Sequence, residues 1–365
     1  MTGFLEPIRL PANQPPQFYR GGQAIAALRG ASTSDSVDTG PLAGAQPDQK
    51  FGPEDWVGSA TTMFGQDTNG LTKLPNGVWL RDAVRANPRG WLGAKHVEAL
   101  GDSTGLLVKL LDAGQRLPVH FHPTDAFARQ HFDSHYGKTE AWIVVGTYGD
   151  DPRVYPGFRE TLSKQTVNEW ARDQDAPAML GALNSIPVSA GDTVYIPAGL
   201  PHAIGEGVFV VELQQPTDFS LTLEWRDFLA SPENGHLGLG FETAIETLDT
   251  SGWDEDRLKS IVKHTAGLDA PNVDLLAGGS DTFFRADRLR PATSPATTLS
   301  LAPSFAVLVV IDGMGALHTE HGGAYALTKG DTFVVPHAAG ESTVEGDVTV
   351  IRCRPPAVET RRTYE

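Results

Sequence analysis

Short runs of apolar residues, each ended by glycine, proline, asparagine or aspartate, recur along most of this chain. Clear examples are residues 105–111, 140–147, 192–197 and 208–213. Runs of this length between turn-forming residues are typical of β-strands. Many such strands favour an antiparallel barrel or sandwich, in which a closed sheet has no exposed edge and its interior can hold a small ligand or a metal.

Two parts of the chain follow the helical period instead. Residues 124–132 begin with a capping Thr or Asp, which predicts a short helix. Farther along, apolar residues recur at helical spacing in residues 241–248 and again in 258–262. From about residue 297 to 354 the pattern returns to apolar strands and turns. The pattern therefore predicts a small helical segment between two β units.

An internal repeat indicates that the two β units are related. The sequence GDTVYIP at residues 191–197 matches GDTFVVP at residues 330–336. His202 follows the first copy, whereas no histidine stands at the matching position after the second. We therefore predict a mostly β fold with two jelly-roll barrels. Its predicted units are a catalytic, metal-binding domain (1–235), a helical or linker segment (236–290) and a degenerate second unit without metal ligands (291–365).

Composition narrows the classes of function. The chain has 365 residues and a formal net charge of −16, which disfavours binding to nucleic acid or to an anionic membrane. No apolar run approaches the roughly 20 residues that a membrane-spanning helix needs. The first residues do not resemble a secretory signal, and the single cysteine, Cys353, fits a reducing compartment. We expect a cytoplasmic protein with a small-molecule partner; the oligomeric state stays open.

Three histidines and one glutamate form the strongest candidate site. His120 and His122 stand two apart on a predicted strand, so both imidazoles point to one face. Glu140 lies on the next strand, and His202 lies in a later turn. A lone histidine indicates little, but three nitrogens and one carboxylate suit a single divalent metal. Zinc is the first choice, and manganese, cobalt, iron or nickel are also suited.

The spacing of these residues resembles the two signature motifs of the cupin superfamily. The first is GQRLPVHFH at residues 114–122, and the second is GDTVYIPAGLPH at residues 191–202. Within that superfamily the chain resembles the class I mannose-6-phosphate isomerases, also called phosphomannose isomerases. The segments that carry the resemblance are PEDWVGS, LLVKLLDAGQRLPVHFHP, YGKTEAWIVV and SAGDTVYIPAGLPHAIGEGVFVVELQQPTD.

The resemblance implies a fold of two cupin barrels and the interconversion of an aldose and a ketose through a cis-enediol. Mannose 6-phosphate and fructose 6-phosphate are the type pair. A catalytic lysine of the family matches Lys138, and a lysine in the strand before the paired histidines matches Lys109. Three positions depart from the family: His120 stands for glutamine, Pro118 for serine and Thr222 for arginine.

The loss of arginine at position 222 makes Arg226 a candidate replacement. It lies an even number of residues from Thr222 and would face the same side if the strand continued. We therefore expect Lys138 and Arg226 to be catalytic. The candidates for substrate binding are Lys109, His131 and Glu212.

Other functions remain open on the sequence alone. The reduced number of basic residues permits an isomerase or epimerase that acts on a different or unphosphorylated sugar. The same ligands also bind iron in metal-dependent dioxygenases, since one fold supports many reactions. A non-catalytic sugar-binding cupin is a further alternative, in which Thr222 would mark lost catalysis.

Overall fold

The apolar runs singled out in the sequence form β-strands in a computed structural model, which describes residues 6–30, 52–292 and 297–358. The first residues, for which no secretory signal is predicted, lie partly outside these ranges. The outer ends of the predicted units 1–235 and 291–365 also lie outside them. The fold is mostly β, and its strands form three antiparallel sheets.

The first sheet has six strands. In spatial order they are β12 (Val262–His264), β8 (Asp192–Ile196), β5 (Glu140–Thr147), β10 (Val208–Gln214), β3 (Leu107–Asp112) and β2 (Glu54–Val57). The four predicted runs are its central strands. All residues of β10 and β3 are buried, because this sheet packs against apolar side chains on both faces, which explains the nearly continuous apolar sequence of these strands.

The second sheet has five short strands. In spatial order they are β11 (Leu221–Thr222), β4 (His120–Phe121), β9 (His202–Ile204), β6 (Arg153–Pro156) and β7 (Ile186–Pro187). Proline has no N–H to donate to a strand partner, and Pro118, Pro123 and Pro201 flank β4 and β9. The ladders of this sheet are therefore short.

The third sheet has eight strands. Six follow one another in the order β1 (Ile8–Arg9), β18 (Thr332–Val335), β16 (Ala306–Thr319), β19 (Ser342–Arg354), β14 (Arg285–Leu289) and β13 (Asn272–Asp274). In addition, β15 (Leu299–Leu301) pairs with β19, and β17 (Gly323–Thr328) pairs with β16. The two repeat strands, β8 and β18, occupy the same place in their sheets, which agrees with the predicted internal repeat.

Helices cover the sheets and fill the connections. They are α1 (Gln23–Leu28), α2 (Leu80–Ala86), α3 (Pro88–Leu92), α4 (Ala94–Leu100), α5 (Asp125–Phe132), α6 (Lys164–Asp173), α7 (Ala176–Ala182), α8 (Pro232–Gly235), α9 (Phe241–Ala244) and α10 (Glu255–Ile261), with 3-10 turns at Ile245–Thr247, Ser280–Thr282 and His337–Ala339. The predicted helix at 124–132 is confirmed as α5, and the Thr124 side chain caps it by accepting from the Phe127 N–H. None of the described helices is long and apolar enough to cross a membrane.

The six-stranded and eight-stranded sheets share one apolar core, which we call the shared cluster. Its strand residues include Val108, Leu110, Ile143 and Val211 from the first sheet and Val307, Val309, Val334, Ile351 and Cys353 from the third. The lone cysteine is therefore a buried core residue, as expected. The opposite faces of the two sheets pack into separate clusters, so each β unit keeps an apolar interior of its own.

The predicted helical linker at 236–290 is only partly helical. The helix predicted over 258–262 ends at Ile261, and Val262 begins β12, which pairs with β8. Two further strands of this segment, β13 and β14, belong to the eight-stranded sheet. Strand pairing also crosses the predicted boundaries at the start of the chain, because β1 pairs with β18.

Two closed barrels are not confirmed. Within the described residues, the hydrogen-bonded order of each sheet runs between two different edge strands and does not close. The five-stranded and six-stranded sheets are joined beside their strand ends, where the Lys138 N–H before β5 donates to the Pro123 carbonyl after β4. The division into three units therefore stays a prediction.

We expect the shared cluster to dominate the stability of the fold. Leu110 is fully buried in it, and truncation to alanine leaves a cavity as well as less buried apolar surface. Leu110→Ala should therefore lower the free energy of unfolding by about 2–5 kcal/mol, measured by urea denaturation. Met314→Ala, at a side chain that is 70% exposed, is the control and should change stability little. Equal effects of the two substitutions would contradict the assignment.

Candidate metal centre

Three buried histidines meet where β4 and β9 pair. His120 lies in β4, His122 follows that strand directly, and His202 begins β9 opposite His120. The alternation of side chains along a strand puts His120 and His122 on one side, as the sequence predicts. One nitrogen from each of the three rings lies within 4.8 Å of the others.

Backbone carbonyls fix the orientation of all three rings. The Nδ1 atoms of His120, His122 and His202 each lie 2.8 Å from a carbonyl oxygen. A carbonyl only accepts hydrogen bonds, so each Nδ1 carries the proton and each Nε2 of a neutral ring is left with its lone pair. Such outer contacts are typical of metal-binding histidines, because they hold the ring in place.

Burial keeps the rings of His120 and His122 neutral. Burial and the neighbouring His202 and His122 hold the pKa of His120 well below its usual value. Burial and the Lys138 ammonium lower the pKa of His122 to about 3. Neutral imidazole is the form that binds a metal, so the site has the protonation state that a metal requires.

Glu140 reaches two of the three histidines, His122 and His202, from the other sheet. It begins β5, and its Oε2 and Oε1 atoms lie 2.9 Å from His122 Nε2 and 3.2 Å from His202 Nε2. Burial raises the pKa of Glu140, but His122 and Lys138 outweigh it and hold this pKa well below its usual range, so the group is ionised.

Buried acceptor atoms therefore face one another with no proton between them. The Nε2 atoms of His122 and His202 have no hydrogen-bond partner among the described residues, and the Oε2 atom of Glu140 has none apart from its ion pair with Lys138 Nζ. Such an arrangement is unfavourable unless a cation lies between the atoms. Ligand atoms of a tetrahedral zinc ion, bound at about 2.0–2.1 Å, are separated by about 3.3 Å. These residues fit one divalent metal.

Lys138 lies beside Glu140. Its Nζ is 3.3 Å from Glu140 Oε2, and its side chain is buried. The backbone here is held by two contacts: the Lys138 N–H donates to the Pro123 carbonyl, and the Thr139 N–H donates to the Gln215 side chain. The ammonium therefore has a fixed position next to the metal ligands.

A second buried lysine is held between two carboxylates. Lys109 Nζ lies 3.3 Å from Glu54 Oε2 and 3.4 Å from Glu212 Oε2. Glu54 also accepts hydrogen bonds from Tyr19 Oη at 2.6 Å and from Trp56 Nε1 at 2.6 Å. Sequence reasoning missed Glu54 and Tyr19, although Glu54 stands in the PEDWVGS segment that carries the family resemblance.

One cavity of about 240 Å³ opens over these groups. Its lining carries four carboxylates and two ammonium groups: Glu54, Glu140, Glu212, Asp218, Lys109 and Lys138. Burial and the Glu140 carboxylate raise the pKa of Glu212 to about 7. Burial also raises the pKa of Asp218. Burial is the main cause of both shifts, and a divalent cation would balance the net negative charge of this lining.

The structure brings most predicted site residues to this cavity but not all of them. Pro118 and Thr222 line it. Arg226 does not: β11 ends at Thr222, a turn follows at Trp225, and Arg226 is an exposed residue over the Trp225 ring. The continued strand on which its prediction depended is therefore absent.

His131 also lies outside the cavity lining. Its ring packs on Phe127 one turn earlier in α5, with the ring centroids 4.2 Å apart. The helical period that predicts α5 also accounts for this contact, because residues four apart share a helix face.

Comparison with known proteins places the chain among sugar phosphate isomerases. The family profile "Mannose-6-phosphate isomerase, cupin domain" matches residues 293–355. A mannose-6-phosphate isomerase from Streptococcus mutans is 30% identical over 288 residues, which cover 78% of this chain and 84% of that protein.

Solved structures share the fold over nearly the whole chain. The mannose 6-phosphate isomerase of Bacillus subtilis superposes with a TM-score of 0.70 at 24% identity, covering 96% of this chain and 99% of the other. A zinc-bound mannose 6-phosphate isomerase superposes with a TM-score of 0.70 at 14% identity, covering 96% of this chain and 100% of the other.

We expect His122→Ala to impair metal binding. Loss of a group that merely orients a ligand costs about 10–100-fold in affinity, so removal of a ligand should cost about 100-fold or more. Metal affinity is measured by competition with a chromophoric chelator, and metal content by mass spectrometry. His264→Ala is the control, since the His264 side chain is 74% exposed and bonded to Asp192. Unchanged affinity in His122→Ala would refute the site.

Proposed function

The chain belongs to the mannose-6-phosphate isomerase family, and on that basis we propose that it is a metal-dependent aldose–ketose isomerase that interconverts mannose 6-phosphate and fructose 6-phosphate. The observation that carries the proposal is the group of three buried histidines, with the Glu140 carboxylate against His122 and His202 and the Lys138 ammonium beside it. An isomerase needs an electrophile for the sugar oxygens and a positioned proton carrier.

We propose His120, His122, Glu140 and His202 as the ligands of one zinc ion. Three nitrogens and one carboxylate suit zinc, and the zinc-bound structure of a related fold supports this choice. When bound, the ion would supply a Lewis acid that polarises the substrate carbonyl.

The residues of the chain would move the proton and hold the sugar. We assign to Lys138 the transfer of a proton between C1 and C2, because its amine is buried beside the metal ligands. Glu212 and Lys109 are assigned to substrate hydroxyl groups, since both are buried and line the cavity. The buried surroundings exclude bulk water from the proton in transit.

The division of the chain and its location are also proposals. A second cupin unit within 291–365 is supported by the family profile over 293–355 and by the equivalent position of β18 and β8. A cytoplasmic location is supported by the single, buried cysteine.

A second candidate substrate is a hexose without phosphate. It is favoured by the charge of the cavity: among the described lining residues the cations are Lys109 and Lys138, and each is paired with a carboxylate. The Thr222 side chain provides no guanidinium for a phosphate group, and Pro118 provides no backbone N–H.

The assay that tests the proposal uses metal-loaded protein with mannose 6-phosphate and with mannose in parallel. Ketose formation is quantified by chromatography, and exchange of the C2 proton in D₂O is followed by NMR. Turnover of the phosphate ester supports the first candidate, and turnover of mannose alone supports the second. Absence of ketose from both sugars, with a full equivalent of metal bound, would exclude aldose–ketose isomerisation of these substrates.

We expect Lys138→Met to abolish most turnover and to leave the metal in place. Loss of a general acid–base group lowers kcat by about 10²–10⁴-fold, whereas the proposed ligands remain intact. Both kcat and metal content are measured on the same sample. Lys259→Met, at a lysine of α10 whose side chain is 65% exposed, is the matched control and should retain full activity. Full activity in Lys138→Met would refute the role.

A further inference from the structure

Lys138 lies in a three-residue stretch, residues 137–139, which we call the lysine segment. The segment forms neither helix nor strand and leads directly into β5. Its backbone is nevertheless held at further groups besides the two N–H groups described above. The contacts are Gly137 N–H to Asp125 Oδ1 at 2.7 Å, Thr217 Oγ1 to the Gly137 carbonyl at 2.6 Å, Lys138 N–H to the Pro123 carbonyl at 3.0 Å, Thr139 N–H to Gln215 Oε1 at 2.8 Å and Gln215 N–H to the Thr139 carbonyl at 3.0 Å. A shift of the segment would break several of these hydrogen bonds at once.

Asp125 joins both ends of the lysine segment through one oxygen atom. Its Oδ1 accepts from the Gly137 N–H and also, at 2.8 Å, from Gln215 Nε2. The oxygen of the same Gln215 amide accepts from the Thr139 N–H. Asp125 therefore fixes one end of the segment directly and the other end through Gln215, and a carboxylate accepts stronger hydrogen bonds than an uncharged group does.

Close packing against the start of α5 leaves the lysine segment little room. Asp125 is the first residue of α5 and follows His122 by three residues. A Cβ atom added to Gly137 would overlap the Pro123 carbonyl oxygen and would lie 2.8 Å from the Asp125 nitrogen. One short stretch of chain thus carries a proposed metal ligand and the carboxylate that holds the lysine segment, so their relative positions are fixed together.

Asp125 is placed to act on the lysine and not on the substrate. Lys138 lines the cavity over the metal centre, whereas Asp125 borders a separate cleft. A lysine ammonium is carried on a flexible four-carbon stem, so its place, 3.3 Å from Glu140 Oε2, depends on where the backbone is held. Misplacement of a reacting group by about 1 Å can lower a rate by about 100-fold.

We propose that Asp125 is the positioning residue for the proton transfer assigned to Lys138, and that it acts through Gly137 and Gln215. The inference rests on the proposed function, in which the Lys138 amine moves the proton between C1 and C2. The Asp125 oxygen fixes the backbone from which that amine extends. Asp125 should therefore govern kcat and leave KM unchanged.

The test compares Asp125→Ala with Asp125→Asn in metal-loaded, full-length protein, with mannose 6-phosphate and mannose as substrates. Asp125→Ala removes the acceptor for Gly137 and Gln215, so kcat should fall by about 10–100-fold, with KM and metal content unchanged. Asp125→Asn loses the same charge but keeps an acceptor oxygen, so it should retain most of kcat. Asp254→Ala is the matched control and should keep full activity, because Asp254 is an exposed aspartate at the start of α10 that accepts from the Arg257 N–H.

A second readout does not depend on turnover. Hydrogen exchange of the Gly137 and Thr139 amides, followed by mass spectrometry, should be slow in the unmodified protein and in Asp125→Asn, and this protection should be lost in Asp125→Ala. Thr217→Val keeps the volume of the side chain and removes the donor to the Gly137 carbonyl. This variant should lower kcat even if Asp125→Ala does not fold.

The outcomes separate this inference from the proposed function. Full kcat in Asp125→Ala, or an Asp125→Asn variant as impaired as Asp125→Ala, overturns the positioning role and leaves the isomerase proposal intact. Inactivity of the unmodified, metal-loaded protein on both sugars removes the isomerase proposal, and the positioning role with it.

Discussion

A set of buried acceptor atoms is the constraint on which the metal centre depends. His122 Nε2 and His202 Nε2 lie 2.9 and 3.2 Å from the carboxylate of Glu140, and neutral imidazoles have no proton to place in these gaps. Two sheets are brought together at this point by atoms that repel one another unless a cation is present. A bound ion would supply attraction between these atoms, so metal binding would be coupled to the packing of the five-stranded sheet on the six-stranded sheet.

The same constraint organises the cavity above it. Its lining has four carboxylates and two lysines, and each lysine lies within 3.4 Å of a carboxylate. A divalent ion would bring this lining to neutrality, so recognition of a substrate would rest on directed hydrogen bonds more than on net charge. Burial and then the neighbouring Glu140 carboxylate raise the pKa of Glu212 to about 7.

Sequence reasoning found what local spacing determines. Strands such as Glu140–Thr147 follow from apolar runs between turn residues, and the pairing of His120 with His122 follows from the period of a strand. It could not find what long-range contacts determine. Glu54 meets Lys109 through the pairing of β2 with β3, and Tyr19 reaches Glu54 from a bend far from both in the sequence. The end of β11 at Thr222 likewise depends on the turn that follows, so the expected position of Arg226 was wrong.

The two related sheets show that the backbone determines where a charged pair lies, whereas the side chains determine its charge. Strand order and register put one inward-facing pair at the same place in each unit, Glu212 with Lys109 and Arg352 with Asp287. The position of each pair therefore follows from the internal repeat, whereas the sign of each charge depends on the residue at that position. Because a buried charge must be balanced, the reversed sign requires a reversed partner: Glu212 lies opposite Lys109 in one unit and Arg352 lies opposite Asp287 in the other, on the same two strands of the order.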